Sequence, residues 1–223
     1  MIAVLTADLI DSSHYTEALL DRVISVLRRE FQDIAKKYPR QKQNFQIYRG
    51  DSFQGIVSPV ADSLQVALQL KTAVNSIGRE ESSSSRASSK VCDIRLAIGI
   101  GEAGFHGEKV SESNGEAFRF SGLTLDEMKN DIRKTRLKTP NDDLNAEFEA
   151  SMFLLDMLME KWSTASAEVV YYLLKGMKET EIARELKISQ SAVNQRKKAA
   201  GWEAVSVLLQ RFHDAVIKKI GDE

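Results

Sequence analysis

Two aspartates stand where the chain changes direction. "AVLTADLIDSS" ends a β-rich run at Asp8, and "IYRGDSFQGIV" carries Asp51 between two apolar runs, the form of a tight hairpin. Asp at a hairpin tip is ordinary turn chemistry, because its short side chain tolerates turn geometry. Beside a second carboxylate on an adjacent strand, the same residue can do more. Two carboxylates and a backbone carbonyl can hold Mg²⁺ or Mn²⁺, which in turn holds triphosphate oxygens. Asp8 and Asp51 are the candidate metal ligands, with a nucleotide as the implied ligand.

The elements that must position them follow from spacing. A first strand ends at Asp8. A helix follows, with Leu19, Leu20, Val23, Ile24, Leu27, Phe31 and Ile34 at helical intervals and Pro39 as its stop. The hairpin spans about Phe45–Tyr48 and Ser52–Val57, and "VADSLQVALQLKTAVNSIG" reads as a second amphipathic helix ending at Gly78. "REESSSSRASSK" is polar, without periodicity, and reads as a surface excursion. "VCDIRLAIGIGEA" reads as a central, doubly buried strand. "NGEAFRFSGLTLDEMKND" reads as a helix capped by Asn114, "KTRLKT" as a short strand, and Pro140-Asn141 opens a helix to about Trp162.

The order β-α-β-β-α-β-α-β predicts an α+β fold with a ferredoxin-like or palm-type sheet and helices on one face. From Ser163 onward only short helices are expected. The division is a palm-like domain over 1–140, a connector helix over 141–162, and an all-α helix-turn-helix domain over 163–223 that ends in an amphipathic helix.

Composition constrains function broadly. The chain has 223 residues, 43% apolar and 28% charged, with a net charge of -1, so it is no general magnet for nucleic acid. Residues 163–223 are mildly basic, with 10 Lys+Arg against 8 Asp+Glu. The single cysteine, Cys92, excludes an internal disulfide framework and a cysteine-based zinc site, and reads as a buried structural thiol. His14, His106 and His213 are too far apart in sequence to suggest a zinc cluster. "GIGEAGFHG" lacks the Lys-Ser/Thr of a P-loop and is assigned to strand-end turns. With no signal-type leader and no run approaching the ~18 apolar residues of a membrane span, a cytoplasmic, soluble protein is expected.

The tail divides into helices over about Ala165–Lys175, Glu179–Leu186 and from Gln190 onward. Ser189 suits an N-cap, which leaves Gln190 and Ser191 at the exposed start of the third helix. Gln190, Ser191, Asn194 and Gln195 can hydrogen-bond base edges, and Arg196, Lys197 and Lys198 can reach phosphates. The stretch "EIARELKISQSAVNQRKKA" resembles the helix-turn-helix of bacterial regulators and sigma-factor-like domains. That resemblance implies double-stranded DNA as partner. A module of this size buries little surface, which calls for a homodimer. Trp202, Val205, Leu208, Leu209, Phe212, Val216 and Ile220 form a stripe to be divided between covering the tail core and pairing with a second copy.

The Asp8 strand end, the "GD" hairpin tip and "IRLAIGIGEAG" together resemble class III nucleotidyl cyclases. The helix that supplies Asn and Arg in those enzymes has Arg119 and Leu123 at the corresponding positions. Leucine cannot stabilise charge on a transferring phosphate, so ordinary cyclase activity is not expected. Asn114, Glu116 and Arg119 are the candidate ligand-binding residues. Over nearly its full length, through "MIAVLTADLIDS", "YRGDSFQG", "IRLAIGIGE", "ESNGEAFRFSGLTLD" and the tail motif, the chain resembles the SatD family of bacterial proteins. The resemblance implies a palm-like domain coupled to a helix-turn-helix. The expected function is a DNA-binding transcriptional regulator with a ligand-sensing palm. The alternative is a divergent nucleotidyl transferase or hydrolase at the Asp8/Asp51 pair, with the tail as a targeting module.

Overall fold

The computed structural model describes residues 1–38, 45–48, 50–78, 92–104 and 114–221. Strand β1 (Ile2–Leu9) is the centre of a five-stranded sheet. Its partners are β2 (Gln46–Tyr48), β3 (Ser52–Val57), β4 (Ile94–Gly101) and β5 (Thr135–Lys138), in the order β2-β3-β1-β4-β5. All pairs are antiparallel except β4 with β5. Helices α1 (Glu17–Lys37) and α2 (Ser63–Asn75) connect the first four strands. An antiparallel order 2-3-1-4 with two such connections is the ferredoxin-like arrangement expected from the element order.

The expectation of helices on one face fails at α3 (Glu116–Met128). Ala3, Leu5, Ala7 and Leu9 of β1 join the core under α1 and α2, whereas Val4 packs on Ala117 and Phe118 of α3, on the other face. The steps from β3 to β4 and from β4 to β5 run the same way across the sheet between parallel strands. Their helices, α2 and α3, lie on opposite faces, so the two connections have opposite hands. One of them departs from the right-handed rule, and nothing in the periodicity signals that. Gly99 and Gly101 make the close approach of α3 feasible. A Cβ on Gly99 would sit 2.3 Å from the Ala117 carbonyl oxygen. These two glycines lie inside β4 and are not the strand-end turn inferred from sequence. Nor does Asn114 cap α3. Gly115 is the N-cap, and Asn114 instead accepts Gly104 N–H through its backbone oxygen at 3.0 Å.

The C-terminal half comprises α4 (Asp142–Glu160), α5 (Thr164–Leu174), α6 (Glu179–Glu185), α7 (Gln190–Ala199) and α8 (Trp202–Ile220). Asn141 caps α4 by accepting Leu144 N–H at 2.9 Å. One hydrophobic core runs from the sheet through α1 and α2 into α4, α5 and α8. The α8 stripe is used there: Val205, Phe212 and Val216 are buried, Trp202, Leu208, Leu209 and Ile220 pack partly buried against the same core, and Phe212 meets Phe148 edge-on at 5.1 Å. Burying one such phenyl ring is worth about 2 kcal/mol. Val207 and Ile217 stay exposed. Among the described residues, no helix is long and apolar enough to cross a membrane. The Ser-rich stretch, Pro39 and His106 lie outside the described residues.

Candidate functional site

At the end of β1, the pairing brings the two aspartates' backbones together. Asp8 lies opposite Ser52, and Leu9 N–H donates to the Asp51 carbonyl oxygen at 2.8 Å. The carboxylates themselves are already engaged. Asp8, 8% exposed, accepts Arg95 Nε–H at 2.9 Å, since Asp8 and Arg95 are cross-strand partners in β1 and β4. Asp51 accepts the hydroxyls of Ser12 and Ser52, each at 3.1 Å. Among the described residues, no group of three or more acidic, His or Cys side chains is placed to hold a metal ion. A divalent ion held by Asp8 and Asp51 would have to displace the Arg95 guanidinium from one of these two carboxylates. The residues present do not fit a metal–nucleotide centre.

The candidate ligand-binding residues are not at this end. Glu116 sits beside Gly101, where its carboxylate accepts Glu102 N–H at 3.4 Å. Gly101 pairs with Ile2, six residues along β1 from Asp8, or roughly 20 Å at the rise of a strand. Asn114 and Arg119 are exposed at the same far end, with the Arg119 guanidinium 4.9 Å from the Phe120 ring centre. Leu123 is 55% exposed on the outer side of α3. Within one chain, Asp8 and Asp51 therefore do not share a pocket with Asn114, Glu116 and Arg119.

The α6–α7 pair is built around a separate small core of Val169, Ile182 and Val193, with Leu186 and Ile188 against it. The turn between them passes through Lys187 in the left-handed region (φ 53°), and Ser189 caps α7 by accepting Ala192 N–H at 3.1 Å. Gln190, Ser191, Gln195 and Lys198 are exposed, and Asn194 is half-buried. Two of the three cations named from sequence are committed inside the chain. Lys197 pairs with Glu179 at 3.1 Å and Glu203 at 3.4 Å, and Arg196 lies 3.8 Å from Glu168.

Two buried polar networks escaped the sequence reading. Glu30, fully buried on α1, accepts Tyr171 Oη–H at 2.6 Å and Gln69 Nε2–H at 2.9 Å. Burial and the Glu30 bond push the Tyr171 phenol up to about 12. Lys175 adds bonds to Asp33 at 2.8 Å and to Tyr171 Oη at 3.0 Å. Farther along, Asp156 of α4 accepts Lys134 N–H, Thr135 N–H and Thr135 Oγ1–H at 2.7–2.8 Å, and burial raises its carboxyl above the usual range. The buried Lys71 ammonium answers Asp93 at 3.2 Å. The signal was present: Glu30 falls on the stripe of Val23, Leu27 and Ile34, and Lys71 falls within "VALQLKTAV". A charge on an apolar face calls for a partner.

No family model matches the sequence, and no curated protein does. Solved structures similar to the chain are nucleotide cyclase domains. One is the catalytic core of a rhodopsin-guanylyl cyclase with converted specificity in complex with ATPalphaS, at 18% identity and TM-score 0.39, covering 56% of this chain and 71% of that one. A bacterial light-regulated adenylyl cyclase gives 11% identity and TM-score 0.41, covering 61% and 74%. The non-canonical dimeric guanylyl cyclase domain of a RhoGC fusion protein from the aquatic fungus Blastocladiella emersonii gives 18% and 0.36, covering 54% and 72%.

Proposed function

We propose that this chain is a cytoplasmic, SatD-like DNA-binding regulator in which α6 and α7 act as a helix-turn-helix, paired by dimerisation and carried on a palm-type domain. The observation that carries the reading is the outer face of α7. Gln190 and Ser191 face solvent at the capped start of α7, with Gln195 exposed farther along the same helix; at that start backbone N–H groups and the helix dipole favour phosphate, and polar side chains can meet base edges. Their carbonyl, amide and hydroxyl groups match the donors and acceptors of the major groove. Lys198 stands ready for a phosphate, whereas Lys197 and Arg196 serve first to hold α7 against its neighbours.

Metal-dependent nucleotidyl transfer is not part of this reading, because Arg95 already neutralises Asp8. The palm-type half acts as the framework that sets the position of the reading helix. Capture of sheared genomic DNA on the purified chain at fixed, near-physiological salt tests the proposal, since phosphate contacts alone weaken steeply with salt. Enrichment of a few sequences with a two-fold repeat is the expected result. Retention without enrichment, or none with the protein folded, overturns it.

A further inference from the structure

A cleft of about 410 Å³ opens where α5 crosses α1 and α2, within the range of small-ligand sites. Its α1 wall presents Arg22 and Arg29, two helical turns apart on one face, with Ser25 between them. Ser76 lines the α2 side, and Glu168 and Tyr172 line the α5 side. Among the described residues, neither arginine is committed to a carboxylate of its own. Arg22 donates to the Gly78 carbonyl oxygen at 3.1 Å. Arg29 is 65% exposed, 3.9 Å from Glu30, whose oxygens already accept from Tyr171 and Gln69.

We propose that this cleft binds a small oxyanion-bearing molecule, with its phosphate or carboxylate between Arg22 and Arg29, and that occupancy is transmitted to α7 through Glu168. Guanidinium groups present paired N–H donors that match an oxyanion bidentately. Ser25 adds a neutral donor beside them, whereas the Ser76 hydroxyl already donates to the Ala73 carbonyl oxygen at 2.8 Å. Glu168 on the facing wall suits an amino or hydroxyl group on the other end of the same molecule. Glu168 is also the residue 3.8 Å from Arg196. Burial lifts its carboxyl above the usual range, and Arg196 partly offsets that effect. A ligand that draws Glu168 toward itself loosens Arg196 and with it one restraint on α7. This second half rests on the DNA-binding reading, and the first half does not.

The full-length chain is titrated calorimetrically with inorganic phosphate, AMP and citrate. Saturable binding of at least one is expected, weakened about tenfold or more by Arg29→Glu. Arg29 is solvent-exposed, so this variant keeps its circular dichroism spectrum and melting profile. Phosphate and AMP binding without citrate identifies a phosphate reader, and citrate alone identifies a carboxylate reader. Saturable binding by none of the three, or affinities unchanged in Arg29→Glu, overturns the site. DNA capture is then repeated with the bound probe. A change in retention that Glu168→Gln abolishes supports the coupling, and no change removes it. If DNA capture fails while Arg29-dependent binding persists, the DNA-binding reading falls and the ligand site stands.

Discussion

The C-terminal end of β1 at Asp8 and the outer face of α7 both carry side chains able to recognise a ligand, and they dispose of them in opposite ways. At the strand end, Asp8 is answered by Arg95 and Asp51 by two serine hydroxyls. On α7, Gln190, Ser191, Gln195 and Lys198 face solvent, while Arg196 and Lys197 are held by carboxylates of the same chain. The difference teaches that residue type nominates a site, and only the identity of its neighbours decides whether the site is still open.

The sharpest way to test how far inward pairing supports the molecule is Glu30→Ala. This change leaves the Tyr171 hydroxyl and Gln69 amide without their acceptor in a buried seam between α1, α2 and α5. The expected loss is about 3 kcal/mol in urea unfolding. Tyr171→Phe, which removes one bond and leaves Glu30 its other partner, costs about half as much. Equal, near-zero losses would mean that the C-terminal helices dock by apolar contact alone.

Arg95→Ala probes the closed site directly. It strands the Asp8 carboxylate at 8% exposure and should cost about 2 kcal/mol. It also tests whether the guanidinium is what closes this strand end to cations. Mn²⁺ should raise the melting temperature of Arg95→Ala more than that of the wild type. A wild-type response as large as the variant's would reopen the carboxylate pair as a metal site.

The ease of reading each region tracks the range of the forces behind it. The element order, the hairpin around Asp51 and the Ser189 cap all depend on spacing and local turn chemistry, and each stands where those rules put it. The opposing faces of α2 and α3 depend on crossover handedness, which leaves no periodic trace. The Asp8–Arg95 bond depends on the register between two strands, joining residues 87 apart in sequence. Arg95 could have been suspected, since a charge inside "VCDIRLAIGI" needs an answer, but which carboxylate answers is a tertiary fact. The same holds for Lys197, whose partners Glu179 and Glu203 flank it from different helices.

That last contrast sharpens into a salt experiment. Lys198→Ala should lower the slope of log binding constant against log salt by about 0.9, the share of one phosphate contact. Lys197→Ala should leave the slope unchanged and cost under about 1 kcal/mol of stability, because its ion pairs are partly exposed. Equal slope changes would mean that Lys197 leaves its carboxylates for DNA.

The smallest expected effect concerns two carboxylates displaced in opposite directions. The Lys175 hydrogen bond holds Asp33 below the usual range, and burial holds Asp156 above it. Asp33 contributes stability that is fully present above the ordinary Asp value of about 3.9 and lost as pH falls through its lowered folded value. Asp156 works the other way. Its folded form binds the proton more readily, so acidification from its raised value down toward about 3.9 favours folding. Asp33→Asn should flatten the acid-side fall in unfolding free energy, read from urea melts, by about 0.5 kcal/mol, a modest figure for a partly exposed pair. Asp156→Asn should remove the opposing rise and make the acid-side fall steeper. A midpoint curve that both substitutions shift in the same direction would contradict the assignment of one carboxylate to a surface tether and the other to a buried anchor.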